Sequence, residues 1–148
     1  MTPDTKHIAE SAINEPGAPR VLIVDDEKAE SIVIEAILSE SGFEVWTVPS
    51  GSDAAERLHA RLPFDLVIID MTMGAAHDSK GLRPMRNVLP GAAILLMTDN
   101  GTFRNVLQDI ADGDFGIEYV KKPFSKDELL VSVRRALCRR QRKQQSDV

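Results

Sequence analysis

The chain has 148 residues, 43% hydrophobic and 28% charged, which suits one globular domain with a single core. A net charge of −5 and a pI of about 5.2 argue against direct nucleic-acid binding, and one cysteine, Cys138, leaves no partner for an intramolecular disulfide, pointing to a reducing cytoplasmic setting. Apolar runs such as Leu66 to Ile69 are far too short to cross a bilayer, and no apolar export segment opens the chain.

Residues 1–19 lack a sustained apolar pattern and close on Glu15-Pro16-Gly17-Ala18-Pro19, a flexible N-terminal extension. Organised structure is expected over 20–138, with a basic tail over 139–148. Val21 to Val24 reads as a strand buried on both faces. Glu27 to Glu40 reads as a helix with Ala29, Val33, Ala36 and Ile37 inward, stopped by Gly42. Phe43 to Val48 is a second strand, and Ser50 can cap a helix whose inner face is Ala55, Leu58 and Leu62. Leu66 to Ile69 is a third strand, ending at Asp70. A glycine-containing loop over 71–81 leads to a short helix at best over Leu82 to Val88. Ala92 to Met97 is the fourth strand, ending at Thr98. Phe103 to Ala111 reads as a helix, Ile117 to Val120 as the fifth strand. Ser125 and Glu128 form a capping box ahead of a helix burying Leu129, Val133, Ala136 and Leu137.

Five strands alternating with helices imply an α/β fold with a parallel sheet and helices on both faces. Right-handed crossovers would bring all strand C-termini to one edge, where ligands bind such folds. The chemically capable residues follow the apolar runs: Asp25 and Asp26 after the first, Asp70 after the third, Thr98 after the fourth, Lys122 after the fifth. Three crowded carboxylates repel one another and call for a compensating charge. A hard divalent cation such as Mg²⁺ suits oxygen ligands of this kind and can also clamp a phosphoryl group. A carboxylate at a strand end can then act as nucleophile and form an acyl phosphate.

On these residues the chain resembles the receiver domains of two-component response regulators. The resemblance rests on Val21-Leu22-Ile23-Val24-Asp25-Asp26, Ile68-Ile69-Asp70-Met71-Thr72-Met73, Leu95-Leu96-Met97-Thr98 and Tyr119-Val120-Lys121-Lys122-Pro123-Phe124, in family order. It implies a doubly wound, flavodoxin-like sheet of order 2-1-3-4-5. It also implies phosphorylation on Asp70, with Mg²⁺ held by Asp25, Asp26, Asp70 and the Thr72 backbone carbonyl. Thr98 would donate to a phosphoryl oxygen and Lys122 would pair with Asp70 or the phosphoryl group. Tyr119 occupies the aromatic switch position, and the Lys122-Pro123 bond is expected to be cis. The implied donor is a sensor histidine kinase or phosphotransfer protein. A downstream protein partner would read the Phe103–Ala111 helix, the fifth strand and the last helix. Homodimerisation through the last helices is open, and no membrane or direct nucleic-acid partner is implied.

The sequence departs from the family pattern in places. Gly74 stands where proline is usual, Asp99 follows the switch hydroxyl where a small residue is common, and the segments before Gly81 and around Asp112 to Gly116 are long. Taken singly, the motifs have plainer readings. Asp25-Asp26 could be a turn or helix cap, Tyr119 and Trp46 packing residues, and His77-Asp78 a solvated loop. Cys138 reads as a helix residue without a charge relay. Arg134, Arg135, Arg139, Arg140, Arg142 and Lys143 complement a helix C-terminus, or contact an acidic partner or nucleic acid, or begin a linker to an output module. Two alternatives to a phosphorylated receiver stay open. One is a phosphate-independent pseudo-receiver adaptor, suggested by Asp99 and the long loop. The other is an aspartyl phosphohydrolase, disfavoured because Thr72 occupies the place of its second acid.

Overall fold

Unbroken apolar runs of this length form strands when both of their faces can be covered. The computed structural model describes residues 17–49, 64–71, 91–99 and 117–146, with side chains in the last helix described to residue 139. The elements are β1 (Arg20–Val24), α1 (Lys28–Glu40), β2 (Glu44–Val48), β3 (Leu66–Asp70), β4 (Ala93–Thr98), β5 (Ile117–Lys121) and α2 (Lys126–Ser146). The strands form one parallel sheet of order β2-β1-β3-β4-β5, the flavodoxin-like order expected. Every residue of β3 and β4 is buried, as their composition requires. In-register pairing aligns Val24 with Ile69, Asp70 with Met97 and Thr98 with Lys121, so the strand C-termini share one edge.

Alternate residues serve opposite faces. Val21, Ile23, Leu66, Ile68, Leu95 and Met97 join a core with side chains of α1 and α2. Leu22, Val24, Val67, Ile69, Ile94 and Leu96 line the other face with Val48 and Phe64. Trp46 packs there edge-on against Phe64, their ring centroids 5.4 Å apart.

α1 ends in a Schellman arrangement, in which Phe43 N–H donates to the Leu38 carbonyl and Gly42 N–H to that of Ser39. Gly42 takes φ +91°, which a side chain would strain. Phe43 and Leu38 then enter the same core, fixing how the helix is rotated. That rotation corrects the inward face expected from periodicity. Ser31, Ile34 and Leu38 are buried, whereas Ala29 and Ala36 are exposed and Val33 is 57% exposed. Of the expected set only Ile37 packs, partly buried, against the core. α1 is apolar on more than one side, so its spacing alone allowed two stripes.

α2 opens as its capping box predicts. Glu128 N–H donates to Ser125 Oγ (3.1 Å) and Ser125 N–H to Glu128 Oε1 (3.3 Å). Leu129, Val133 and Ala136 are fully buried and Leu137 partly so. The helix continues to Ser146, so residues 139–146 are helical. The Arg139 guanidinium pairs with Glu118 Oε2 on β5 at 3.3 Å. The helices expected from Ser50, over Leu82–Val88 and over Phe103–Ala111 lie outside the described residues, as does the loop from Thr72 onward.

The α1 rotation is testable by paired truncations. Ile34→Ala should lower the unfolding free energy by about 2–5 kcal/mol in urea titration, because it empties a buried site. Val33→Ala should stay within about 0.5 kcal/mol. The reverse order would restore the periodicity-based face.

Candidate functional site

The aligned strand ends and the turn after β1 assemble the site. Asp25 follows β1 directly, its N–H donating to the Val48 carbonyl of β2. Its Oδ1 accepts the Glu27 N–H at 2.9 Å, which orients the carboxyl beside the start of α1. Glu27 is the N-cap residue of α1 and makes no side-chain cap, so the acidic pair is not the cap itself. Asp70 closes β3 and is only 2% exposed. Ligand oxygens of Asp25, Asp26 and Asp70 all lie within 4.8 Å of one another. Asp25 and Asp70 are buried there, and Asp26 is exposed.

The compensating charge comes from the loop after β5. Lys122 N–H donates to the Thr98 carbonyl, which fixes that loop against β4. The Lys122 side chain reaches back to place Nζ 2.9 Å from Asp70 Oδ1. Lys122, and not Lys121, therefore occupies the site, and the Lys122-Pro123 bond is cis, as expected. Nζ also lies 2.7 Å from Glu30 Oε1 on α1. Burial alone would lower the Lys122 pKa, but the ion pairs with Glu30 and Asp70 outweigh it. The ammonium is held above its ordinary 10.5.

The Asp25 pKa is raised as well, which for a carboxyl group favours the neutral form. Its pKa is pushed from 3.8 up to about 8, first by burial and then by the Glu30 side chain, with the Asp70 charge adding to both. The Glu27 N–H opposes this without reversing it. Asp25 Oδ2 is buried and has no hydrogen-bond partner among the described residues. A buried carboxylate oxygen without a donor, beside two further carboxylates, fits a hard divalent cation such as Mg²⁺.

Thr98 ends β4 fully buried, and its Oγ1 likewise lacks a partner among the described residues. Tyr119 on β5 is 36% exposed. Asp99 is partly buried next to Thr98. Thr72 and Gly74, and with them the carbonyl expected to complete the metal ligands, lie outside the described residues. The sequence reading missed Glu30. Its signal was available: Glu30, Ile34 and Leu38 recur every fourth residue, so a glutamate lies on the stripe that turned out to face inward.

The raised Asp25 pKa has a stability consequence. The folded chain holds this proton more tightly than the unfolded chain, so the contribution is complete below pH 3.8 and lost as pH rises through about 8. A bound cation would replace the proton. The rise in Tm on adding Mg²⁺ should therefore be larger at about pH 9 than at about pH 6. Asp25→Asn should flatten the metal-free pH dependence and shrink the Mg²⁺ response. An equal Mg²⁺ response at both pH values would contradict this.

Comparison with known proteins agrees with the geometry. The profile of the response regulator receiver domain family matches residues 21–134. The phosphate regulon transcriptional regulatory protein PhoB of Rhizobium meliloti (strain 1021) is 33% identical over 123 residues, covering 82% of this chain and 53% of that protein. The chain thus spans about half the length of that curated relative. The crystal structure of a response regulator receiver domain protein from Clostridium thermocellum superposes with a TM-score of 0.69 at 26% identity, covering 83% of this chain and 97% of that one. The beryllofluoride-activated NtrC4 receiver domain dimer gives a TM-score of 0.69 at 25% identity, covering 82% and 98%. With the sheet order, the carboxylate triad and the lysine all in place, the chain belongs to the response regulator receiver family.

Proposed function

We propose that Asp70 accepts a phosphoryl group from a sensor histidine kinase or phosphotransfer protein and that the domain signals through the resulting change of shape. The observation that carries this reading is the gathering of Asp25, Asp26 and Asp70 oxygens within 4.8 Å, with the Lys122 ammonium 2.9 Å from Asp70. An Asp70 carboxylate oxygen attacks phosphorus, the bond from phosphorus to the donor nitrogen or oxygen breaks, and the leaving group departs with that electron pair. The product is an acyl phosphate. Asp25 and Asp26, with Asp70 and the Thr72 carbonyl, would hold Mg²⁺, which supplies neutralisation of phosphoryl charge when bound. Lys122 would pair with the same charge, and the buried Thr98 hydroxyl would find its acceptor in a phosphoryl oxygen.

Two charge-assisted contacts of this kind supply about 3–5 kcal/mol, allowing for the partial exposure of Lys122. A shift from 1:99 to 99:1 takes about 5.5 kcal/mol, so partner binding would provide the remainder. Movement of Thr98 would leave space into which Tyr119 turns. The output surface would comprise the Phe103–Ala111 helix, β5 and α2, and a similar receiver, that of NtrC4, has a beryllofluoride-activated dimer. We extend the reading to a cytoplasmic location; no helix among the described residues is long and apolar enough to cross a membrane. Receivers are signalling domains without multiple turnover, which disfavours the phosphohydrolase reading.

Incubation with Mg²⁺ and acetyl phosphate should add one phosphoryl group by intact mass. Asp70→Asn should add none, and an unmodified wild-type chain would favour the phosphate-independent adaptor instead. Phosphorylation should also shift the amide resonances of 117–137, and Thr98→Ala should reduce those shifts while leaving the mass gain in place. Unchanged resonances in a phosphorylated chain would remove the proposed output surface.

A further inference from the structure

Lys122 is held by two carboxylates. Its Nζ stands 2.7 Å from Glu30 Oε1 and 2.9 Å from Asp70 Oδ1. Glu30 is delivered to this point by the rotation of α1 that buries Ile34 and Leu38, one and two turns further along the same stripe. Its side chain is 22% exposed and that of Lys122 18%, so water screens the pair far less than it screens a surface ion pair. The Glu30 side chain also helps to raise the Asp25 pKa, so α1 brings a further negative charge to the acidic cluster. Glu30 is not part of the carboxylate triad, and it sits on a helix and not at a strand end.

Two consequences follow for any phosphoryl group on Asp70. An ammonium shared between two carboxylates is drawn less to a new anion than an ammonium held by one. A fixed negative charge beside Lys122 also offsets the field that would attract that anion. Resting on the phosphoacceptor reading above, we propose that Glu30 is a positioning residue that shares the Lys122 ammonium with Asp70, opposes its transfer to a phosphoryl group and so sets how readily the domain is activated. Glu30 keeps the unphosphorylated arrangement in place until a donor, a metal ion and a phosphoryl group together outweigh it.

The test is beryllofluoride affinity in saturating Mg²⁺ for wild type, Glu30→Gln and Glu27→Gln, with Glu30→Met as a second variant lacking the charge. Glu27 carries the same charge three residues earlier on an exposed side chain, so it controls for through-space charge. Both Glu30 variants should bind about tenfold more tightly, and Glu27→Gln should stay within about twofold of wild type. In metal-free, phosphate-free protein, the Lys122 ¹⁵Nζ resonance should move in Glu30→Gln and not in Glu27→Gln. A general loss of structure would not produce tighter binding. Unchanged or weaker binding by the Glu30 variants, beside normal uptake by wild type, overturns the role of Glu30 and leaves the receiver reading intact. Equal tightening by Glu27→Gln overturns it too, since charge alone would then explain the effect. No beryllofluoride uptake by wild type overturns both readings together.

Discussion

The structure depends on one electrostatic problem, which is the placing of three carboxylates within 4.8 Å at the edge of a buried sheet. Left alone, such a cluster would pull protons from solvent or push its members apart. Here the chain offers a partial solution of its own. Lys122 neutralises Asp70, and Asp25 keeps its proton up to about pH 8. What remains is a buried Asp25 oxygen and a buried Thr98 hydroxyl without partners among the described residues. Under the proposed function, a cation would answer the first and a phosphoryl oxygen the second.

The sheet makes that arrangement rigid. Asp70 and Thr98 are the last residues of two adjacent strands, both buried along their whole length. Asp25 and Lys122 follow β1 and β5, the strands on either side of that pair, and are each pinned by a backbone hydrogen bond to a neighbouring strand, at Val48 and Thr98 respectively. Charges fixed in this way need little reorganisation when a phosphoryl group arrives. The helices contribute differently. α2 packs Leu129, Val133 and Ala136 against the sheet as a scaffold, while α1 brings a charged residue, Glu30, into contact with the site.

Much of this was legible in the sequence because parallel strands buried on both faces announce themselves as unbroken apolar runs. Val21 to Val24 and Leu66 to Ile69 needed no further context, and the residues just past them could be placed at one edge by topology alone. The capping box at Ser125 was equally local, since four residues define it. The inner face of α1 was not legible. Ala29, Val33, Ala36 and Ile37 form an apolar stripe as plausible as the one carrying Ile34 and Leu38. The choice between them depends on long-range partners: the sheet residues around Leu38 and Phe43, and the ammonium of Lys122, 92 residues beyond Glu30 in the chain. The same dependence hid Glu30 itself, which reads as a solvated charge until the helix is rotated.

The most direct measurement asks which carboxylate among the crowded four carries the phosphoryl group. The chain would be phosphorylated with acetyl phosphate and Mg²⁺ and reduced with borohydride, which converts an aspartyl phosphate to homoserine and a glutamyl phosphate to 5-hydroxynorvaline, and its peptides mapped by mass. Conversion confined to Asp70 is the predicted result. Conversion at Asp25, Asp26 or Glu30, or at none of them in a chain that binds Mg²⁺, would contradict the account.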